Sequence, residues 1–355
     1  MNTPPFSVLP AMSRRFDHVG RTMAFDAASA AELQRWRRAL VRKLKSLTGY
    51  DTMVPTPLRP KITEQIRCDG YVRQRVEIQT EPHVRMPLYV LLPESGQRFA
   101  PVIAPHGHAS GGKLAVAGIR TRRAIAKTIR EHNYDYGVQL VREGFAVFCP
   151  DARGFGERQE FPSNVDILNS SCQWINHMAY PLGQTVTGMW TWDLHRLIDY
   201  IETRPDCDAK RLGCAGLSGG GLQTLWATAL DRRIRCAVIS GYFYGYKQSL
   251  LEQYTNCSCN FVPNLYEHVD MGDIGALIAP RPLMIETGDE DNLNGRDNLR
   301  NVKSQVRITR RAYRLCDATG ALKHRVFHGP HRWHGVEAIP WLKRWLQQRA
   351  ASPSR

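Results

Sequence analysis

The sequence predicts an α/β protein: a mostly parallel, twisted sheet with an antiparallel start and helices on both faces. Three observations carry this. Val72-Arg73-Gln74-Arg75-Val76-Glu77-Ile78 alternates apolar and polar residues, as a half-buried strand does, and a turn at Glu81-Pro82-His83 leads to a second strand at Pro87–Leu92. From residue 101 onward, short continuous apolar runs alternate with helical stretches, which reads as buried parallel strands joined by crossover helices. No repeat, low-complexity linker or composition break interrupts residues 60–350.

In chain order, residues 1–28 read as an irregular tail broken by Pro4, Pro5 and Pro10. Ser29-Ala30-Ala31-Glu32 is a capping box, and Leu33, Trp36, Leu40, Leu44 and Leu47 then recur at helical spacing until Gly49 stops the helix. Residues 1–60 are thus expected to be a tail plus an amphipathic helix packed on a main domain of residues 61–350. After the antiparallel pair, strands are expected at 101–104, 145–149, 211–215, 236–239, 283–286 and 325–327. Helices are expected at 134–143, 186–203, 220–230, 298–317 and 336–348. Two stretches break the alternation, near 152–183 and 242–275. Both are rich in aromatics: Phe155, Phe161, Trp174 and Tyr180 in the first, and Tyr242, Phe243, Tyr244, Tyr246, Tyr254, Phe261 and Tyr266 in the second. Insertions of this length are more often functional than idle, so they read as lid-like walls over a pocket.

The chain has 355 residues, a formal charge of +15 and nine cysteines. The basic residues are spread along amphipathic helices rather than gathered in a patch, so no specific nucleic-acid partner is expected. No apolar run reaches the ~20 residues of a membrane span. The odd cysteine count and the absence of a signal-like start point to a cytoplasmic protein with free thiols. Oligomeric state is open, and a homo-oligomer is compatible with the sequence.

The chemistry centres on Ser218. The strand 211–215 runs into Gly216-Leu217-Ser218-Gly219-Gly220-Gly221 and then into a helix. A nucleophile on such a tight strand-to-helix turn needs small neighbours, and the helix N-terminus favours the negative charge that develops there. No lysine follows the glycines, so a phosphate loop lacks its key residue. Serine needs a base, held in turn by an acid. Candidates follow in the order acid, then histidine, each just beyond a strand. Asp291 is the first choice of acid, with Asp289 second. His331 is the first choice of base, with His328 and His334 as competitors. Backbone amides should bind the oxyanion. Gly219 supplies one, and the loop Pro105-His106-Gly107-His108 the other, from His108 or Gly107. His106 itself reads as structural. His328, His331 and His334, the pair His106 and His108, and Cys257-Ser258-Cys259 match no zinc spacing, so neither metal nor cofactor is expected.

These residues resemble the acetyl-xylan-esterase and dienelactone-hydrolase-like branch of the α/β-hydrolases. The resemblance rests on Pro150-Asp151-Ala152-Arg153-Gly154-Phe155-Gly156-Glu157-Arg158, on Asp193 to Gly221, which includes Thr203-Arg204-Pro205 and Arg211, on Ala279-Pro280-Arg281-Pro282, and on Gly329-Pro330-His331-Arg332-Trp333. It spans about residues 65–348 and departs at Pro330, where the branch usually has a second glycine. It implies an α/β-hydrolase fold with Ser218 as nucleophile, Asp291 as acid and His331 as base. It also implies hydrolysis of a small-molecule or carbohydrate ester, often an acetyl ester, through an acyl-enzyme. Dienelactone hydrolases use a cysteine nucleophile, whereas here the elbow holds Ser218 and Cys214 lies back on the strand. Peptidase, amidase or lactonase activity on the same residues, or a non-catalytic binding role, are the alternatives.

Overall fold

The computed structural model describes residues 4–160 and 166–347; Phe161 and residues 348–350 of the expected main domain lie outside them. The strands are β1 (Lys61–Cys68), β2 (Tyr71–Glu81), β3 (Val84–Pro93), β4 (Pro101–Ile103), β5 (Ala146–Pro150), β6 (Gly213–Leu217), β7 (Cys236–Ser240), β8 (Leu283–Gly288) and β9 (Leu322–Phe327). They form one sheet in the order β1-β2-β3-β5-β4-β6-β7-β8-β9. The first three strands pair antiparallel, as does β3 with β5, and the pairs from β5 to β9 are parallel. This is the α/β-hydrolase architecture expected from the sequence.

Helices are α1 (Leu9–Val19), α2 (Ala30–Thr48), α3 (Lys113–Val116), α4 (Arg123–His132), α5 (Tyr136–Arg142), α6 (Cys172–Ala179), α7 (Val186–Thr203), α8 (Gly219–Leu230), α9 (Met271–Ala276), α10 (Leu299–Leu315) and α11 (Ala338–Leu346). The parallel strands β4 to β8 are buried on both faces, whereas the edge strand β9 is partly exposed, and alternate residues of the central strands feed different cores. Val238 of β7 and Met284 of β8 pack with Ile125 and Ile129 of α4, Leu140 of α5 and Leu342 of α11. Ala237, Ile239, Leu283 and Ile285 pack with Leu40 and Leu44 of α2, Leu225 of α8 and Val302 of α10. Helix α2 begins where Ser29 Oγ accepts the Glu32 amide, and Glu32 in turn accepts the Ala28 amide at 2.8 Å. It ends on Gly49 in the left-handed region, whose amide caps Lys45 and Ser46.

Two differences from the sequence reading have physical causes. Residues 9–19 form a helix where an irregular tail was expected. Pro10 sits in its first turn, where a missing N–H costs nothing. The helix buries none of its residues fully and docks through Phe16 against Tyr266 and through the ion pairs Arg15–Glu267 and Lys247–Asp17. Strand β1 was not anticipated. Its only aliphatic residues, Ile62 and Ile66, are exposed, because it is an edge strand with no face on the core. A bulge between Ile62 and Glu64 and its charged side chains blunt that edge.

The topology selects where a site can form. From β4 the chain crosses to β5 on one side, and β6 then lies on the other side of β4. The connections therefore diverge beyond the carboxyl ends of β4 and β6, leaving a crevice at a topological switch point. The loop after β4 carries His106 to His108, and the turn after β6 carries Ser218.

Candidate active site

Ser218 stands between β6 and α8 with φ +61° and ψ −123°, a strained conformation for a residue with a side chain. Two backbone bonds hold it there. Its amide donates to Ser240 O at 2.9 Å, and its carbonyl accepts the Leu222 amide at 2.9 Å. The glycines around it serve close approach. A Cβ on Gly216 would lie 2.5 Å from the Gly220 carbonyl carbon, and one on Gly220 would collide with the Pro105 carbonyl oxygen. The β4 loop thus lies directly on the start of α8.

That loop is fixed by side chains that claim its carbonyls. Tyr136 Oη donates to Pro105 O at 2.5 Å, Gln223 Nε2 to His106 O at 2.8 Å, Ser110 Oγ to Gly107 O at 2.7 Å and Tyr134 Oη to His108 O at 3.1 Å. In a planar trans peptide the N–H of His108 points opposite the Gly107 carbonyl, so anchoring that carbonyl aims the amide. The His106 ring accepts the Ala152 amide on Nε2 at 3.1 Å, which places its proton on Nδ1, against Gly107 O. Burial lowers its pKa to about 4, so the ring is neutral and structural.

The Asp151–Arg158 segment beneath this loop is a knot of buried charges. Lys113, 1% exposed, bonds Asp151 and Glu157 at 2.5 Å each, and Asp151 also accepts the Lys113 amide. Arg153 grips Asp193 of α7 through two nitrogens at 2.9 and 3.0 Å and Glu81 at 2.6 Å, while Arg158 reaches Asp193 at 2.7 Å. Burial opposes ionisation of Asp193, but the two guanidiniums outweigh it and hold its pKa below the usual range. Arg281 of the Ala279–Pro282 motif is also a scaffold residue, donating to the carbonyls of Thr228, Asp231 and Ile234.

The acid and base candidates separate into two pairs. Asp291, buried after β8, accepts from His331 Nδ1 at 2.6 Å through Oδ2, and Oδ1 accepts the Leu293 amide at 2.9 Å. Asp289 instead accepts the Gly329 amide at 3.0 Å and faces the exposed His328 at 3.3 Å. His334 stacks on Phe327 with ring centroids 4.5 Å apart. The His331 ring lies over Gly241, where an added Cβ would meet His331 Cε1 at 2.8 Å and Leu217 Cδ1 at 3.1 Å. The imidazole edge therefore sits beside the residue that precedes Ser218. His132 supports the histidine loop by bonding His331 O at 2.8 Å. The buried Glu286 accepts the Gly335 amide at 3.1 Å, and burial raises its pKa to about 7.

Sequence reasoning missed Gly241, His132 and Glu286, which touch the site from distant elements. It also missed a thiol–imidazole cluster. His108 Nε2 is 3.3 Å from Cys259 Sγ, and ligand atoms of His108, Cys257 and Cys259 all lie within 4.8 Å of one another. The buried Cys172 thiol interacts with both other thiols but is not one of that group. Much of the aromatic content of the second insertion is core: Tyr242, Phe243, Tyr244 and Tyr246 are buried, while Tyr254 is exposed. The two insertions are joined by Asn176 to Ser258 O at 2.8 Å and Tyr180 to Phe261 O at 2.7 Å, and Thr187 of α7 donates to Cys259 O at 2.6 Å.

The sheet order, the strained serine turn and the histidine loop at the carboxyl ends of the strands define an α/β-hydrolase-fold protein. Residues 12–335 match the model of the abhydrolase family, and the chain belongs to that family. A Bacillus subtilis (strain 168) protein, provisionally named hydrolase YtaP, is 24% identical over 301 residues, covering 81% of this chain and 94% of its own. Among solved structures, a Bacteroides fragilis NCTC 9343 protein provisionally named acetyl xylan esterase superposes with a TM-score of 0.78 at 16% identity, covering 97% of this chain and 96% of its own. A glucuronoyl esterase from Solibacter usitatus gives 0.67 at 16% identity, covering 91% and 96%. No helix among the described residues is long and apolar enough to cross a membrane.

Proposed function

We propose that the chain is a serine hydrolase of carboxylic esters, with Ser218 as nucleophile, His331 as base and Asp291 as the acid that orients it. The observation that carries this reading is the 2.6 Å contact between the buried Asp291 and the half-buried His331, whose ring lies beside the Leu217–Ser218 turn. In the reaction, His331 Nε2 takes the Ser218 proton as Oγ attacks the ester carbonyl. The tetrahedral oxyanion is bound by the amides of Gly219 and His108. The intermediate collapses, and the alcohol leaves with the proton from His331. Water, deprotonated by His331, then attacks the acyl-enzyme. The acid is released and Oγ regains its proton from His331. Asp291 stays ionised and stabilises the imidazolium at each stage. This cycle uses no cofactor.

The relatives named for acetyl xylan and glucuronoyl esters support a carbohydrate or small-molecule ester as substrate. The joined insertions at 152–183 and 242–275 would wall the crevice. The test is labelling of folded protein with a fluorophosphonate probe, followed by a chain-length series of nitrophenyl esters and matched amides. Labelling of Ser218, turnover of acetyl esters and loss of both in Ser218→Ala are expected. A folded protein that neither labels nor turns over any ester overturns the reading, and a preference for amides moves it to the amidase alternative.

A further inference from the structure

We propose that His108, Cys172, Cys257 and Cys259 form a structural zinc site that clips together the three loops around the crevice. The four residues come from separate parts of the chain: the loop after β4, the first residue of α6 and the second insertion. Their convergence is not a by-product of one local turn. Ligand atoms of His108, Cys257 and Cys259 already lie within 4.8 Å of each other, close to the spacing that tetrahedral zinc imposes at Zn–S of about 2.3 Å and Zn–N of about 2.0 Å. Cys172 is not one of that 4.8 Å group; its buried thiol interacts with those of Cys257 and Cys259, and it enters as the fourth ligand when the metal binds.

The surroundings are those of a thiolate site. Ser170 Oγ lies 3.3 Å from Cys257 Sγ, and Asn260 Nδ2 donates towards Cys259 Sγ at 3.7 Å while also holding Cys257 O at 3.0 Å. Such donors around sulfur orient ligands and stabilise their charge. Phe155 meets the His108 ring edge-on with centroids 5.3 Å apart, and Cys172 and Cys259 are buried while Cys257 is half-buried, so water is kept from two of the three sulfurs. Three sulfurs and one imidazole favour zinc over magnesium or calcium, which take oxygen. A disulfide would use two of the thiols and leave the third thiol and the imidazole without a role. On binding, three thiols release three protons to solvent and form three Zn–S bonds, and neutral His108 donates the Nε2 lone pair.

The position gives the site a consequence. With Nε2 on the metal, His108 carries its proton on Nδ1, which faces Gly219: a Cβ there would lie 3.0 Å from Nδ1. The metal would therefore fix the residue whose backbone amide is assigned to the oxyanion. That consequence rests on the proposed esterase reading, whereas metal binding itself does not.

The experiment uses full-length protein produced in zinc-supplemented medium, desalted, and measured by elemental analysis without substrate. About one zinc per chain is expected, with loss of the metal in Cys257→Ser/Cys259→Ser. Cobalt replacing zinc should give sulfur-to-cobalt charge-transfer absorption and intense visible bands of a tetrahedral site. If the double variant does not fold, chelator-stripped wild-type protein titrated with zinc against a chromophoric competitor serves instead. Failure of folded wild-type protein to bind zinc more tightly than about 1 μM overturns the proposal. So does a cross-linked pair among these cysteines, found by mass spectrometry in protein without metal. Either result leaves the ester-hydrolase reading intact, since no turnover is measured.

Discussion

Replacing Asp291 by Asn keeps the shape of the side chain and removes its charge. In the structure the carboxylate lies 2.6 Å from His331 Nδ1 and is 4% exposed, so little water screens the pair. In the proposed reaction, the positive charge that His331 gains with the Ser218 proton faces that carboxylate. Two unit charges about 4 Å apart at an effective dielectric of ~20 interact by about 4 kcal/mol. Losing that in the transition state alone slows turnover about 10³-fold. An asparagine can also present its amide to Nδ1 and favour the wrong imidazole tautomer, which takes the loss towards about 10⁴-fold. The assay is kcat for nitrophenyl acetate in Asp291→Asn, with Asp289→Asn as the control and thermal melts of both. Asp289→Asn should stay within about twofold, because its ionic partner His328 is exposed and neither group contacts His331. Retention of more than a tenth of wild-type kcat in Asp291→Asn, with collapse in Asp289→Asn, refutes the assignment of the acid.

Three further outcomes are expected. Lys113→Met should lower unfolding free energy by about 3–5 kcal/mol in denaturant titration, since it leaves Asp151 and Glu157 without their shared buried cation. A change below about 1 kcal/mol would show that the knot is not a stability element. Glu286 has a folded pKa of about 7, above its ordinary 4.5. The folded state therefore holds a proton that the unfolded state has lost between these values, and stability should decline as pH rises from about 4.5 to 7 and then level off. The full decline is at most about 3 kcal/mol. Glu286→Gln should remove this component from a pH series of denaturation midpoints, and an unchanged pH profile would contradict it. Leu40→Ala, at a fully buried position of α2, should cost about 2–5 kcal/mol if the N-terminal helix belongs to the main core. A negligible effect would mean that α2 is only loosely attached.

The parts of the fold legible in the sequence are those where one physical cause dominates. Doubly buried strands such as Cys236–Ser240 write their burial as an unbroken apolar run, and α2 announces both ends through Ser29 and Gly49. Strand β1 is silent because an edge strand needs no apolar face. Helix α4 was missed although Ile125 and Ile129 stand at helical spacing, because only Ile125, Thr128 and Ile129 of its ten residues are buried and the apolar stripe is short. At the site, chain order sufficed to nominate Ser218, Asp291 and His331. It could not separate Asp291 from Asp289, since both follow the same strand and differ only in what the fold stacks against them. Contacts across the chain were beyond reach: His108 is 151 residues from Cys259, and no local spacing signals that its ring meets that thiol.

The serine turn is held from below, by glycines pressed against Pro105 and by backbone bonds to Ser240 and Leu222. None of those restraints comes from the insertions above it. The molecule thus divides into a reaction floor and a replaceable rim. On the proposed ester-hydrolase reading, changes confined to residues 166–183 or 247–267 that spare Cys172, Cys257 and Cys259 would recast which ester fits without touching the restraints on Ser218. A library built on the rim would sample substrate range at constant chemistry, whereas one built on Gly216 to Gly220 would sample mostly misfolded chains.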